Sequence, residues 1–205
     1  MKGIFITFEG PDGSGKTTQL KLLQGYLEKK GYEVLMTREP GGTNISEQIR
    51  NIILDKRNTE MNSITETMLY AASRAQHVAE VIKPAIKACK AVICDRFVDS
   101  SLVYQGIGRG LGITFVKELN DKAIQGIMPD ITFFMKISPE VGLRRKLVTD
   151  EYNRLDMEKL EFHKKVYEGY MELERLYPER IIGIDASRSI KDIHEEIIEI
   201  IKKKI

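Results

Sequence analysis

The sequence predicts an α/β fold: a parallel, doubly wound sheet of five strands flanked by helices. Three observations carry that expectation. Short runs rich in Ile, Val and Phe alternate with helical patterns from end to end. Each run is almost continuously apolar, as suits a strand covered on both faces. Strands separated by helices, in turn, imply parallel pairing.

The elements follow in order. Residues 2–9 (KGIFITFE) read as the first strand, and residues 17–30 as a helix with Leu20, Leu23 and Leu27 at helical spacing. Residues 33–37 are the second expected strand. Residues 64–88 read as a helix interrupted by Pro84, before the third strand at 91–95. The fourth strand is expected at 131–135. A helix over 156–176 then carries Leu160, Phe162, Val166, Tyr170 and Leu173 on one face. Residues 180–184 supply the last strand, and 189–203 a closing helix with Ser189 as its cap. No linker, repeat or low-complexity stretch intervenes, so residues 1–205 are expected to form one domain.

Composition narrows the class. The chain of 205 residues is 42% hydrophobic and 30% charged, enough to bury a core without staples. Its net charge of +2 is too balanced for a general nucleic-acid binder. Lys202, Lys203 and Lys204 suit a solvated helix end, where cations complement the dipole. The apolar run from Gly3 to Phe8 is far short of a membrane span, so no membrane association is expected. Cys89 and Cys94 flank a strand with no metal set nearby, which suggests reduced thiols and a cytoplasmic location.

In a doubly wound sheet, ligands sit beyond the carboxyl ends of the strands. After the first strand, Gly10–Pro11–Asp12–Gly13–Ser14–Gly15–Lys16–Thr17 matches G-x-x-x-x-G-K-[ST]. Its fixed positions arise by chance in roughly one chain in a hundred of this length, and the strand and helix flanks make chance rarer still. Backbone N–H groups of such a loop wrap a β-phosphate, Lys16 reaches the β- and γ-phosphates, and Thr17 offers its hydroxyl to Mg²⁺. Thr18 continues the first turn. The chain has no N-K-x-D segment to read guanine, which argues against a GTP-driven switch and leaves a phosphotransferase ahead.

After the second strand, TREPGGT places Arg38, Glu39 and Pro40 ahead of two glycines. Arg50 lies on the next helical segment. Tyr70 and Arg74 stand four residues apart on one helical face, a ring to stack on a base and a guanidinium to read its edge. After the third strand, Asp95 can orient Mg²⁺ and Arg96 can hold a phosphate. Ser100, Ser101, Tyr104 and Gln105 follow. Residues 142–156, with Arg144, Arg145 and Arg154, read as a basic lid, because a kinase must keep water from its donor.

The ordered set FEGPDGSGKTT, TREPGGT, YAASRAQH, DRFVDSSLVYQG and FHKKVYEGYMEL resembles the thymidylate kinases of the bacterial type, over nearly the whole chain. The resemblance implies a P-loop kinase architecture, phosphorylation of dTMP to dTDP by ATP and Mg²⁺ for dTTP synthesis, and a homodimer. It implies catalytic roles for Asp12, Lys16, Arg96 and Arg154, with Asp12 toward the acceptor. It gathers Arg38, Arg50 and Arg96 around the dTMP phosphate and stacks Tyr70 on thymine. Arg74 would read the base edge, Ser101 and Gln105 would hold the base, and Tyr104 would lie against the deoxyribose. The lid departs from the family pattern: acidic-Arg-x-Glu reads Asn153-Arg154-Leu155-Asp156, and no P-loop Arg is present.

No general base is required, because the acceptor phosphate is already ionised. Two alternatives stay open at this point. One is another nucleotide or nucleoside kinase, with Glu9 or Glu39 as base; the other is a non-catalytic nucleotide-binding module.

Overall fold

The computed structural model describes residues 2–146 and 153–204. Five parallel strands, β1 (Ile4–Glu9), β2 (Val34–Arg38), β3 (Ala91–Asp95), β4 (Ile131–Lys136) and β5 (Ile181–Asp185), lie in the order β2-β3-β1-β4-β5. Every expected strand forms; β3 matches its expected bounds and the others shift by one or two residues.

The strands send alternate side chains to opposite faces. Ile4, Ile6 and Phe8 of β1, with Ile93 of β3 and Phe133 of β4, face one cluster. It is closed by Leu20, Leu23 and Leu27 of α1 (Lys16–Lys29) and by Ile193, Ile197 and Ile201 of α9 (Ile190–Lys204). Phe5, Val92 and Cys94 face the other side, under Val78 and Ile82. Each such fully buried side chain contributes about 1.5–3 kcal/mol.

On that second side, α2 (Asn44–Leu54) and α3 (Ser63–His77) pack together. From α3 the chain runs through wider turns at Val78–Ile82 into α4 (Lys83–Lys87), with Pro84 tolerated at the new start. The helix is therefore continuous across Pro84, not broken there. A short α5 (Val98–Ser101) runs on through wide turns at Leu102–Gly108; α6 (Ile113–Ala123) and α7 (Pro139–Lys146) follow. The helix expected over 156–176 is split. Asn153 caps a 3₁₀ turn at Arg154–Met157, with Asp156 bonding back to the Asn153 N–H, and α8 (Leu160–Leu176) starts afterwards.

Register fixes where the function lies. Arg38 pairs with Asp95, and Asp95 with Phe8, so three strand ends stand side by side. The Arg96 N–H bonds the Phe8 carbonyl at 2.9 Å, and the Glu39 N–H the Asp95 carbonyl at 2.9 Å. Among the described residues, no helix is long and apolar enough to cross a membrane.

Candidate active site

The loop after β1 turns into α1 through Gly15, whose φ of 86° is left-handed and free of penalty only for glycine. No acidic residue occupies the first turn of α1, so its unpaired N–H groups remain a site for anions. At Gly13, a Cβ would stand 2.4 Å from the Gly142 carbonyl of α7, so glycine lets that helix rest on the loop. Lys16 folds back across the loop and donates to the Gly10 and Pro11 carbonyls at 3.1 and 2.9 Å. Burial lowers its pKa and Arg96 adds to the effect, while Asp95, Asp12 and Glu9 oppose it.

Asp12 collects cations. Arg96 Nη2 meets its Oδ1 at 2.5 Å, Lys16 stands at 3.7 Å, and Lys146 of α7 pairs with the other oxygen. Burial would raise its pKa, but the three cations together hold the carboxyl well below the usual range. Arg96 itself adopts φ 66°, unusual for a side-chain-bearing residue and common at functional sites. Its guanidinium lies 5.4 Å from the centre of the Tyr104 ring and reaches Ser100 and Tyr170.

Behind Arg96, Glu9 is fully buried. It accepts from the Phe97 N–H at 2.7 Å, the Ser100 hydroxyl at 2.5 Å and the Tyr170 hydroxyl at 2.8 Å. Burial, with Asp99 nearby, pushes its pKa up to about 7. A carboxyl so enclosed is a support for the 96–100 turn.

The acceptor side comes from β2, α2, α3 and α5. Arg38 pairs with Glu47 at 3.0 Å, and Arg50 holds the Pro40 carbonyl at 2.7 Å, after a cis Glu39–Pro40 bond. Glu39 is buried and bonded to Arg74 at 2.7 Å and His77 at 3.0 Å, which leaves it a structural part here. Arg74 also donates to Ser101 at 3.0 Å, to Asn120 and to the Phe97 carbonyl at 3.0 Å. That uses four of its five N–H groups, leaving one on Nη2 among the described residues. Gln105 donates its amide nitrogen to Glu66 at 2.9 Å.

One cavity of about 1040 Å³ joins these parts. Pro11, Asp12, Gly13, Gly15, Lys16 and Thr17 line the end expected to take the donor, and Arg38, Glu39, Pro40, Arg50, Tyr70, Arg74, Arg96, Ser101, Tyr104 and Gln105 the end expected to take the acceptor. Gly10, Ser14 and Thr18 do not line it. Asp95 lines it as well, and its Oδ1 is buried without a hydrogen-bond partner among the described residues. An orphaned carboxylate oxygen of this kind, with the Thr17 hydroxyl on the same cavity, fits a Mg²⁺ that completes its oxygens from phosphates and water.

Arg154, expected over the donor phosphates, is 6% exposed and bonded to the Ile53 carbonyl at 2.9 Å and to Glu66. A buried carboxylate holds a guanidinium more firmly than an open cleft does. Arg145, the other expected lid cation, lies against the phosphate loop, donating to the Gly13 carbonyl at 3.3 Å. Lys146, which the sequence reading passed over, bridges Asp12 and Asp156. Residues 147–152 of the expected lid lie outside the described residues. Glu66 was also passed over, although Glu66, Tyr70 and Arg74 repeat at four-residue spacing on α3 and give the signal that would have found it.

The thymidylate kinase family model matches residues 8–197. A thymidylate kinase of Clostridium novyi is 56% identical over 198 residues, covering 96% of this chain and 97% of that one. One from Bacillus pumilus is 52% identical, over 98% and 96% of the two chains. The crystal structure of a thymidylate kinase from Ehrlichia chaffeensis superposes with a TM-score of 0.80 at 35% identity, over 98% of this chain and 99% of that one. The chain belongs to the thymidylate kinase family.

Proposed function

We propose that residues 1–205 form one kinase domain that transfers the γ-phosphoryl group of ATP to dTMP, giving ADP and dTDP. The observation that carries this reading is the single cavity joining a phosphate loop to Arg38, Arg50, Arg96 and Tyr70. The acceptor phosphate oxygen is ionised at neutral pH and attacks without a base. Catalysis is then alignment of two phosphates and neutralisation of their charge.

Lys16 leaves the Gly10 and Pro11 carbonyls for the β- and γ-phosphates. Arg38, Arg50 and Arg96 hold the acceptor phosphate, and Asp12 keeps Arg96 aimed at it. Tyr70 stacks on thymine, Arg74 gives its remaining N–H to a base oxygen, and Tyr104 covers the deoxyribose. Asp95 and Thr17 hold Mg²⁺, which supplies charge neutralisation when bound. The lid spans about residues 142–156, and Arg145 is its cation over the phosphate loop.

Exposed Ile45, Ile52, Ile64, Met68 and Phe115 form an apolar surface across α2, α3 and α6, which supports a homodimer through these helices. Two free thiols and small-molecule substrates support a cytoplasmic location. An ADP-release assay over dTMP, dUMP, thymidine and AMP tests the reading. Turnover with dTMP well above all others is expected; turnover with thymidine or AMP but not dTMP overturns it.

A further inference from the structure

Gln105 lines the acceptor cavity, and its amide nitrogen is committed to Glu66 Oε1 at 2.9 Å. Glu66 is fully buried and also receives Arg109 through Nε and Nη2, at 3.2 and 3.0 Å, and Arg154. Burial alone would raise its pKa, but Arg109, Gln105 and Arg154 outweigh that and keep it below the ordinary value. An ionised carboxylate only accepts hydrogen bonds, so Gln105 must give it the NH₂ end of its amide.

We infer that Glu66 is a positioning residue for base selection, holding the Gln105 amide so that its oxygen faces the base. The inference rests on the dTMP reading above. The pocket then offers an acceptor on Gln105 beside a donor, the remaining Nη2 hydrogen of Arg74. A 4-oxopyrimidine carries the matching pair, a donating N3–H and an accepting O4. A 4-aminopyrimidine carries the reverse pair at both atoms, and each mismatch leaves a buried polar group without a partner. Thymine and uracil are accepted on this edge; cytosine is rejected.

The test is equilibrium binding of dTMP, dUMP and dCMP. In Glu66→Gln one oxygen becomes an NH₂ donor. Turned toward Gln105, where it meets one arginine N–H instead of two, it takes the Gln105 oxygen and frees Gln105 to turn its NH₂ to the base. The dTMP/dCMP affinity ratio should fall at least tenfold, with dUMP following dTMP and the KM for ATP unchanged. Gln105→Leu, which leaves Glu66 and its ion pairs in place, should lower the ratio to a similar extent. The double variant should lower it no further. An unchanged ratio in Gln105→Leu overturns the inference even if Glu66→Gln fails to fold. So does a Glu66→Gln effect that persists in full in the Gln105→Leu background. A wild-type protein that binds dCMP as tightly as dTMP overturns the dTMP reading itself, a separate and distinguishable result.

Discussion

Arg96 reaches from the end of β3 to Asp12 in the phosphate loop, Nη2 to Oδ1 at 2.5 Å. This contact ties the end of β3 to the phosphate loop, and in the proposed reading one ion pair then positions both phosphates. Arg96→Lys keeps the charge but loses the planar fork. It should lower kcat/KM for dTMP by about a hundredfold or more, with the KM for ATP little changed. An effect below threefold in steady-state kinetics would remove Arg96 from the acceptor site.

Lys16→Ala should fold and lose turnover. The Lys charge stabilises the transferring phosphoryl group more than the ground state, so kcat should fall by roughly two to four powers of ten. Circular dichroism alongside the kinetics separates this from unfolding. A folded variant with near wild-type kcat would place the donor elsewhere.

The two lid arginines should separate by readout. Arg145 lies against the loop at Gly13 and is exposed, so Arg145→Ala should lower kcat by tenfold or more and leave the melting temperature unchanged. Arg154 is buried on Glu66, so Arg154→Ala should cost about 1–3 kcal/mol of stability, Arg109 remaining to neutralise the carboxylate. The opposite pattern, with Arg154→Ala silent in melting and severe in kcat, would return the transfer role to Arg154.

Tyr104 is half-buried against Arg96, Phe162 and Tyr170, and burial pushes its hydroxyl up to about 12. If its ring excludes a 2′-hydroxyl, Tyr104→Ala should narrow the gap in kcat/KM between dTMP and ribothymidine monophosphate by about tenfold. Equal losses on both acceptors would make it a packing residue.

Glu9 gives a pH signature. Its folded pKa of about 7 lies above the carboxylate value of 4.5, so the native state keeps a proton that the unfolded chain releases. Its contribution to stability is complete below pH 4.5 and is lost as pH rises toward 7. Glu9→Gln cannot titrate. Relative to it, the wild type should lose stability between pH 4.5 and 7.5, read as a melting temperature that falls by several degrees. Parallel melting curves for the two proteins would refute the shift.

The apolar surface of α2, α3 and α6 gives a last test. Met68→Glu, on a side chain 53% exposed, should convert a sedimenting dimer to a monomer. A wild-type monomer at micromolar concentration would eliminate this interface.

Local chemistry alone specified much of this protein. Mostly apolar runs marked all five strands, because a strand covered on both faces needs apolar side chains at most positions. GPDGSGKT marked the phosphate loop, because a tight anion-binding turn needs glycines and a Lys at set spacing. Tyr70 and Arg74 were legible as a pair because four residues return a helix to the same face. Tertiary structure decided what depends on distant partners. Arg154 and Glu66 are 88 residues apart, and nothing near either residue announces that they meet. The lid arginine therefore looked available for phosphate until the fold set a buried carboxylate beside it. Likewise, the Glu9 carboxyl is pushed up to about 7 because the fold buries it and brings Asp99 near, against the hydrogen bonds from Ser100 and Tyr170. Desolvation depends on everything that packs against a group, and so it is not written in the residues on either side.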